Sequence, residues 1–176
     1  MKKEVLAGLT ALLTNCSSSA VHIPSPPQIV QPLPPGGYLY RDVVIQGSLK
    51  YTSKTMQALD IIFYNDPQNW PIVQNNITVI RFNPPSGIYV HNGVFETDEN
   101  ETTSEYYQPL EWVAGEIVHD AWHREYYRRG EVYNGWEGER KCMERQNEFF
   151  QRIGYQQLNV VERLKTRYWE IEPRTW

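Results

Sequence analysis

The stretch from Pro109 to Gly130 constrains this chain more than any other. Proline is favoured in the first turn of a helix, and a glycine just past the last turn takes the left-handed conformation that ends one. The spacing predicts one central helix between them, running to about Arg129. Tyr133-Asn134-Gly135 is a short connector, and a second helix is expected from about Trp136 to Ile153, closed by Gly154. An antiparallel pair of this kind brings the second helix back across the first. Leu158, Val161, Leu164 and Tyr168 suggest a third helix.

Upstream, the signals alternate in type. Tyr38 to Ile45 reads as a strand, broken by Gly47 and Ser48. Thr52 or Ser53 is expected to cap a helix to about Tyr64, with Met56, Leu59, Ile62 and Phe63 as its apolar stripe. Asn65-Asp66-Pro67 stops it. Trp70 to Val73 leads into a strand over Ile77–Phe82, and Asn92-Gly93 between Ile88–His91 and Val94–Thr97 is a hairpin signal. The order of strand, helix, strands and then helices is that of an α+β fold: a short antiparallel sheet with a hairpin, followed by packed helices. At 176 residues the chain suits one domain with one core. A net charge of −4 with no lysine-rich block argues against nucleic acid as a partner.

The first residues read as a targeting segment. Met1-Lys2-Lys3 is a basic start, and the apolar run Val5 to Leu13 suits a signal-peptide core while being too short to span a bilayer. Leu13-Thr14-Asn15-Cys16 followed by three serines resembles a bacterial lipoprotein signal, in which the cysteine is lipidated. That resemblance implies a signal peptide over 1–15, lipid on Cys16, and a location at the bacterial cell envelope. Residues 16–37 are crowded with Ser and Pro and read as a tether, leaving 38–176 as the folded domain.

The chemistry concentrates in the two C-terminal helices. His119 and His123 are two of only four histidines, and a spacing of four stacks them on one helix face. Two imidazoles can share one zinc ion, and a carboxylate completes a three-ligand catalytic set with one position left for water. Glu137, Glu139 and Glu144 compete for that place, and helical spacing aims them in different directions. Asp120 is placed to take a proton from water as general base. Glu116, one turn before His119, suits a partner for an imidazole N–H. Tyr126, Tyr127, Tyr133 and Tyr155 are candidate donors to an oxyanion, and Tyr133 is the choice because it lies between the helices. Cys142 is expected to be a small packed residue, with a Cys–His nucleophile as the alternative. His91 reads as a hairpin residue and His22 as a linker residue.

The run His119-Asp120-Ala121-Trp122-His123, with Glu139-Arg140-Lys141-Cys142 after it, resembles the zincin metallopeptidases and specifically their gluzincin-like pattern. That pattern is His-Glu-x-x-His on one helix and Glu-x-x-small on a following one. The resemblance implies a small zincin-like domain in which His119, His123 and Glu139 hold Zn2+. It also implies an upstream sheet whose edge strand pairs with an extended peptide or protein substrate. Asp120 stands where the family has Glu, one methylene longer. Two functions follow as expectations: an exported zinc peptidase tethered to the membrane, or a catalytically inactive zinc-binding lipoprotein that binds another envelope protein.

Overall fold

The computed structural model of the chain describes residues 31–33, 37–83, 86–97 and 109–156. The expected signal peptide, Cys16, His22, most of the Pro/Ser-rich segment and the third helix lie outside the described residues. Gln31–Leu33, within that segment, forms β1, so the sheet begins before Tyr38.

The strand expected over Tyr38–Ile45 is in fact a hairpin of β2 (Gly37–Tyr40) and β3 (Val43–Gln46). Its two turn residues, Arg41 and Asp42, have φ of 48° and 68°. Hairpins joined by two residues favour positive φ at both, and glycine or asparagine usually signals them. Here no glycine does. The conformation is held from outside: Arg41 Nε donates to Asp60 Oδ1 at 2.9 Å, and its guanidinium lies 3.7 Å from the Phe63 ring centroid. Tyr40 Oη donates to the same carboxylate oxygen at 2.7 Å.

Helix α1 (Leu49–Asn65) starts earlier than Thr52 because Ser48 is the cap, its hydroxyl accepting from the Tyr51 amide at 3.2 Å. Thr52 and Thr55 instead donate their hydroxyls to carbonyls one turn back, Ser48 at 2.7 Å and Tyr51 at 2.9 Å. Trp70–Asn76 is not a lead into a strand but a short helix, α2, with Pro71 in its first turn, where a missing N–H costs nothing. Strand β4 (Val79–Phe82) follows, then the hairpin of β5 (Gly87–Tyr89) and β6 (Val94–Thr97). Gly93 has φ of 75°, and a Cβ there would strike the Asn76 carbonyl oxygen at 2.5 Å.

Among the described residues six strands run in the order β1-β2-β3-β4-β6-β5. The sheet is mixed rather than antiparallel, because β3, β4 and β6 are parallel neighbours. The cause is the α1–α2 crossover between β3 and β4, and the hairpin that places β5 outside β6. Ile45, Ile80, Phe95 and Ile88 stand in register across four strands, all buried. Each such side chain contributes roughly 1.5–3 kcal/mol by leaving water.

Helices α3 (Leu110–Arg128) and α4 (Gly135–Arg152) match the expected pair, with Gly130 and Gly154 at φ of 69° and 71° past their ends. They are antiparallel: Gly115 meets Phe150 near one end, and Tyr126 Oη accepts from Arg145 Nε near the other. A Cβ on Gly115 would lie 2.3 Å from the Phe150 ring, so this glycine sets how closely the helices approach. Among the described residues no helix is long and apolar enough to cross a membrane.

Candidate metal centre

The α3–α4 pairing brings three predicted residues to one point. The rings of His119 and His123 lie with centroids 4.8 Å apart, and Glu139 faces them from the start of α4. The two Nε2 atoms are 3.0 Å apart. Glu139 Oε2 is 3.4 Å from His119 Nε2, and its Oε1 is 3.5 Å from His123 Nε2. Charge-assisted N–H···O bonds run at about 2.7–2.9 Å, so the carboxylate stands back from both rings. Zinc bonds of about 2.0–2.1 Å in a tetrahedron put donors about 3.3–3.4 Å from one another. The spacings observed, 3.0 Å between the nitrogens and 3.4 and 3.5 Å to the two Glu139 oxygens, are of that order. His119, His123 and Glu139 form the one cluster of metal-ligating side chains found among the described residues.

The sequence left three acids in competition, and burial separates them. Glu137 and Glu144 are exposed, and Glu144 is bound by Arg140 Nη1. Glu139 is 3% exposed, on the face of α4 that also buries Cys142, Met143 and Gln146. Burial pushes the Cys142 thiol well above its usual range, and the charges of Glu139 and Asp120 push the same way. It is a packed thiol, not a thiolate nucleophile.

The rings are oriented by what their other nitrogens meet. His123 Nδ1 faces the Tyr133 carbonyl oxygen. A carbonyl only accepts, so Nδ1 carries the hydrogen, and the Nε2 lone pair of the neutral ring is directed at the centre. His119 Nδ1 is buried with no hydrogen-bond partner among the described residues. Burial alone would lower the His119 pKa. The nearby Glu139 carboxylate, with the charges of Asp120 and Glu116, overcomes it and leaves the pKa raised. The charges of these three carboxylates favour the protonated His119 ring.

Asp120 is 7% exposed and follows His119 on the same helix. Tyr133 lies in the connector as expected, but the contact it makes with the centre is through its backbone oxygen. Its ring packs edge-on against Tyr127, 5.1 Å between centroids. Ile88, Val90, His123 and Tyr133 line a small apolar recess between β5 and α3. The other tyrosines are drawn elsewhere: Tyr126 is buried under Arg145, and Tyr155 packs on Phe150 at 5.1 Å. Glu116 Oε1 accepts from the Trp112 indole at 2.8 Å.

Two contacts escaped the sequence. The Tyr133 carbonyl leaves no trace in a residue pattern, because any residue carries one. His91 was read as a hairpin residue only, yet its Nδ1 is 2.8 Å from Tyr127 Oη and ties the β5–β6 turn to α3. Its place beside Asn92-Gly93, at the tip of a hairpin, was the available signal. Compared with known proteins, the chain matches no family model, no curated protein and no solved structure, so the centre is defined by its geometry alone.

Proposed function

We propose that this chain is a zincin-like, zinc-dependent peptidase with an HDxxH variant of the family motif. The observation that carries the reading is the cluster of His119 Nε2 and His123 Nε2, 3.0 Å apart, with one Glu139 oxygen 3.4 Å from the first and the other 3.5 Å from the second. Its size suits tetrahedral zinc, and both nitrogens belong to the same helix face. A zinc ion bound there supplies Lewis acidity toward a peptide carbonyl and lowers the pKa of water. The chain's own residues do the rest. Asp120 takes the proton from the attacking water and passes it to the leaving amine. For the Tyr133 hydroxyl to donate to the developing oxyanion, its ring has to swing out of its edge-on contact with Tyr127. Among the described residues the outer edge of β5 pairs with no strand, and the apolar recess opens beside it, which suits an extended peptide.

A second reading rests on Asp120, which is one methylene shorter than the family's glutamate and is buried: a zinc-binding domain without turnover that docks another protein. Export and a lipid anchor on Cys16 belong to the proposal on the sequence pattern alone, and incorporation of a labelled fatty acid tests them.

Elemental analysis is expected to find one zinc per chain, lost in His119→Ala. Asp120→Ala separates the two readings. It keeps the metal and abolishes chelator-sensitive peptide cleavage in the first; in the second, the unmodified protein cleaves no peptide. Full zinc binding by His119→Ala would reject the centre altogether.

A further inference from the structure

Gly138 sits in the first turn of α4, directly before Glu139, and is buried. A Cβ there would lie 2.3 Å from the carbonyl carbon of Tyr133, 2.6 Å from its oxygen and 3.2 Å from its Cα. These are backbone atoms. They cannot swing aside as the end of a side chain does, so the connector itself would have to move. The Tyr133 oxygen is the one that accepts from His123 Nδ1. Gly138 differs in kind from the other glycines of this region. Gly130 and Gly135 have φ of 69° and 65° with open space where a side chain would go. Gly138 does not have a positive φ, and the space around it is filled. A glycine inside the first turn of a helix weakens it, so its presence here is explained by the close approach and not by backbone conformation.

We infer that Gly138 is a positioning residue: bare of a side chain, it seats the Tyr133 carbonyl against α4, and that carbonyl holds His123 in the tautomer whose Nε2 lone pair faces His119 and Glu139. One residue thus sets the orientation of a ligand on α3 from the turn that carries the ligand on α4. The consequence for metal affinity rests on the zinc reading above; the consequence for the tautomer does not.

The experiment uses the full chain in two measurements. Long-range 1H–15N NMR of the imidazoles in metal-free protein, at a pH where they are neutral, reads the His123 tautomer. Titration with zinc against a competing chelator reads affinity. Unmodified protein is expected to carry the His123 hydrogen on Nδ1. Gly138→Ala is expected to lose that single tautomer and to bind zinc about 10–100-fold more weakly, the usual cost of disturbing a partner behind a metal ligand. Gly130→Ala, strained in the same connector but away from the carbonyl, is expected to lower thermal stability and leave zinc affinity unchanged. A His123 hydrogen on Nε2 in the unmodified protein overturns the inference even where Gly138→Ala does not fold. Unchanged affinity in Gly138→Ala, or an equal loss in Gly130→Ala, overturns it too. If the unmodified protein shows the Nδ1–H tautomer, loses it in Gly138→Ala and yet binds no zinc, the metal reading fails and the positioning role stands.

Discussion

Two buried polar clusters flank helix α3, and they are built on opposite rules. The first gathers at the end of α1. Asp66, fully buried, accepts from the Asn69 side-chain amide at 2.7 Å and from Arg152 Nη2 at 2.9 Å. Asn69 Oδ1 in turn accepts from the Trp122 indole at 2.9 Å. Donors meet acceptors at ordinary distances, and four helices are tied together. The second is the His119–His123–Glu139 centre, one residue away along α3. There the carboxylate stands 3.4 and 3.5 Å from its nitrogens, and His119 Nδ1 has no partner among the described residues. Buried polar groups that satisfy one another hold a fold together. A buried set with wider spacing is one that could hold a metal ion.

Breaking the closed cluster should have the largest effect. Asp66→Ala leaves Arg152 and Asn69 without their acceptor, and a loss of about 3–5 kcal/mol is expected in urea denaturation, the range for removing one partner of a buried pair. A loss under about 1 kcal/mol would erase the contrast between the clusters. Glu139→Gln should behave in the opposite way. The metal-free chain is expected to stay within about 1 kcal/mol of the unmodified protein. What disappears is the gain from zinc, about 2.7 kcal/mol at a zinc concentration a hundred times Kd. Thermal denaturation with and without zinc measures both quantities.

The pH dependence sharpens the comparison further, with a smaller effect. The His119 pKa is raised in the folded chain above the ordinary 6.5. Its contribution to metal-free stability is therefore complete below that value and is lost as pH rises through the folded pKa. Zinc needs the neutral ring, so its affinity rises across the same window. Opposite slopes are expected when denaturation and zinc titration are followed from pH 6 upward, on the scale of ordinary imidazole titration. Parallel slopes would mean that His119 is not a ligand. The smallest effect is expected from Glu144→Ala. It breaks an exposed pair with Arg140, costs about 0.5 kcal/mol or less, and leaves zinc affinity untouched.

Much of the α3–α4 pair could be read from the sequence because its punctuation is local. Pro109, Gly130 and Gly154 mark ends, and a spacing of four fixes two histidines on one face whatever surrounds them. Glu139 is preferred on sequence over Glu137 and Glu144 because Cys142 stands at the small position three residues on, and of the three acids Glu139 is the buried one. What stayed hidden depends on distant partners. The Arg41–Asp42 turn is held by Asp60 and by the Phe63 ring, not by a turn residue of its own. The short helix at Trp70–Asn76 contains Ile72 and Val73 and reads as extended by propensity alone. Parallel pairing of β3, β4 and β6 is decided by a crossover, which no strand's own residues encode. In the candidate centre, the three side chains were visible and the backbone oxygen that faces His123 was not.

The parallel middle of the sheet has a consequence in time. The two hairpins at its flanks can close over a few residues, as can the turn between α3 and α4. The β3–β4 seam cannot: it joins only after α1 and α2 have been laid down between its strands. Closing long loops is slow compared with closing short ones. Refolding is therefore expected to pass through a stage with both outer hairpins and helices α3 and α4 in place, while the row from Ile45 to Phe95 is still open to water, which stopped-flow refolding followed by hydrogen exchange checks.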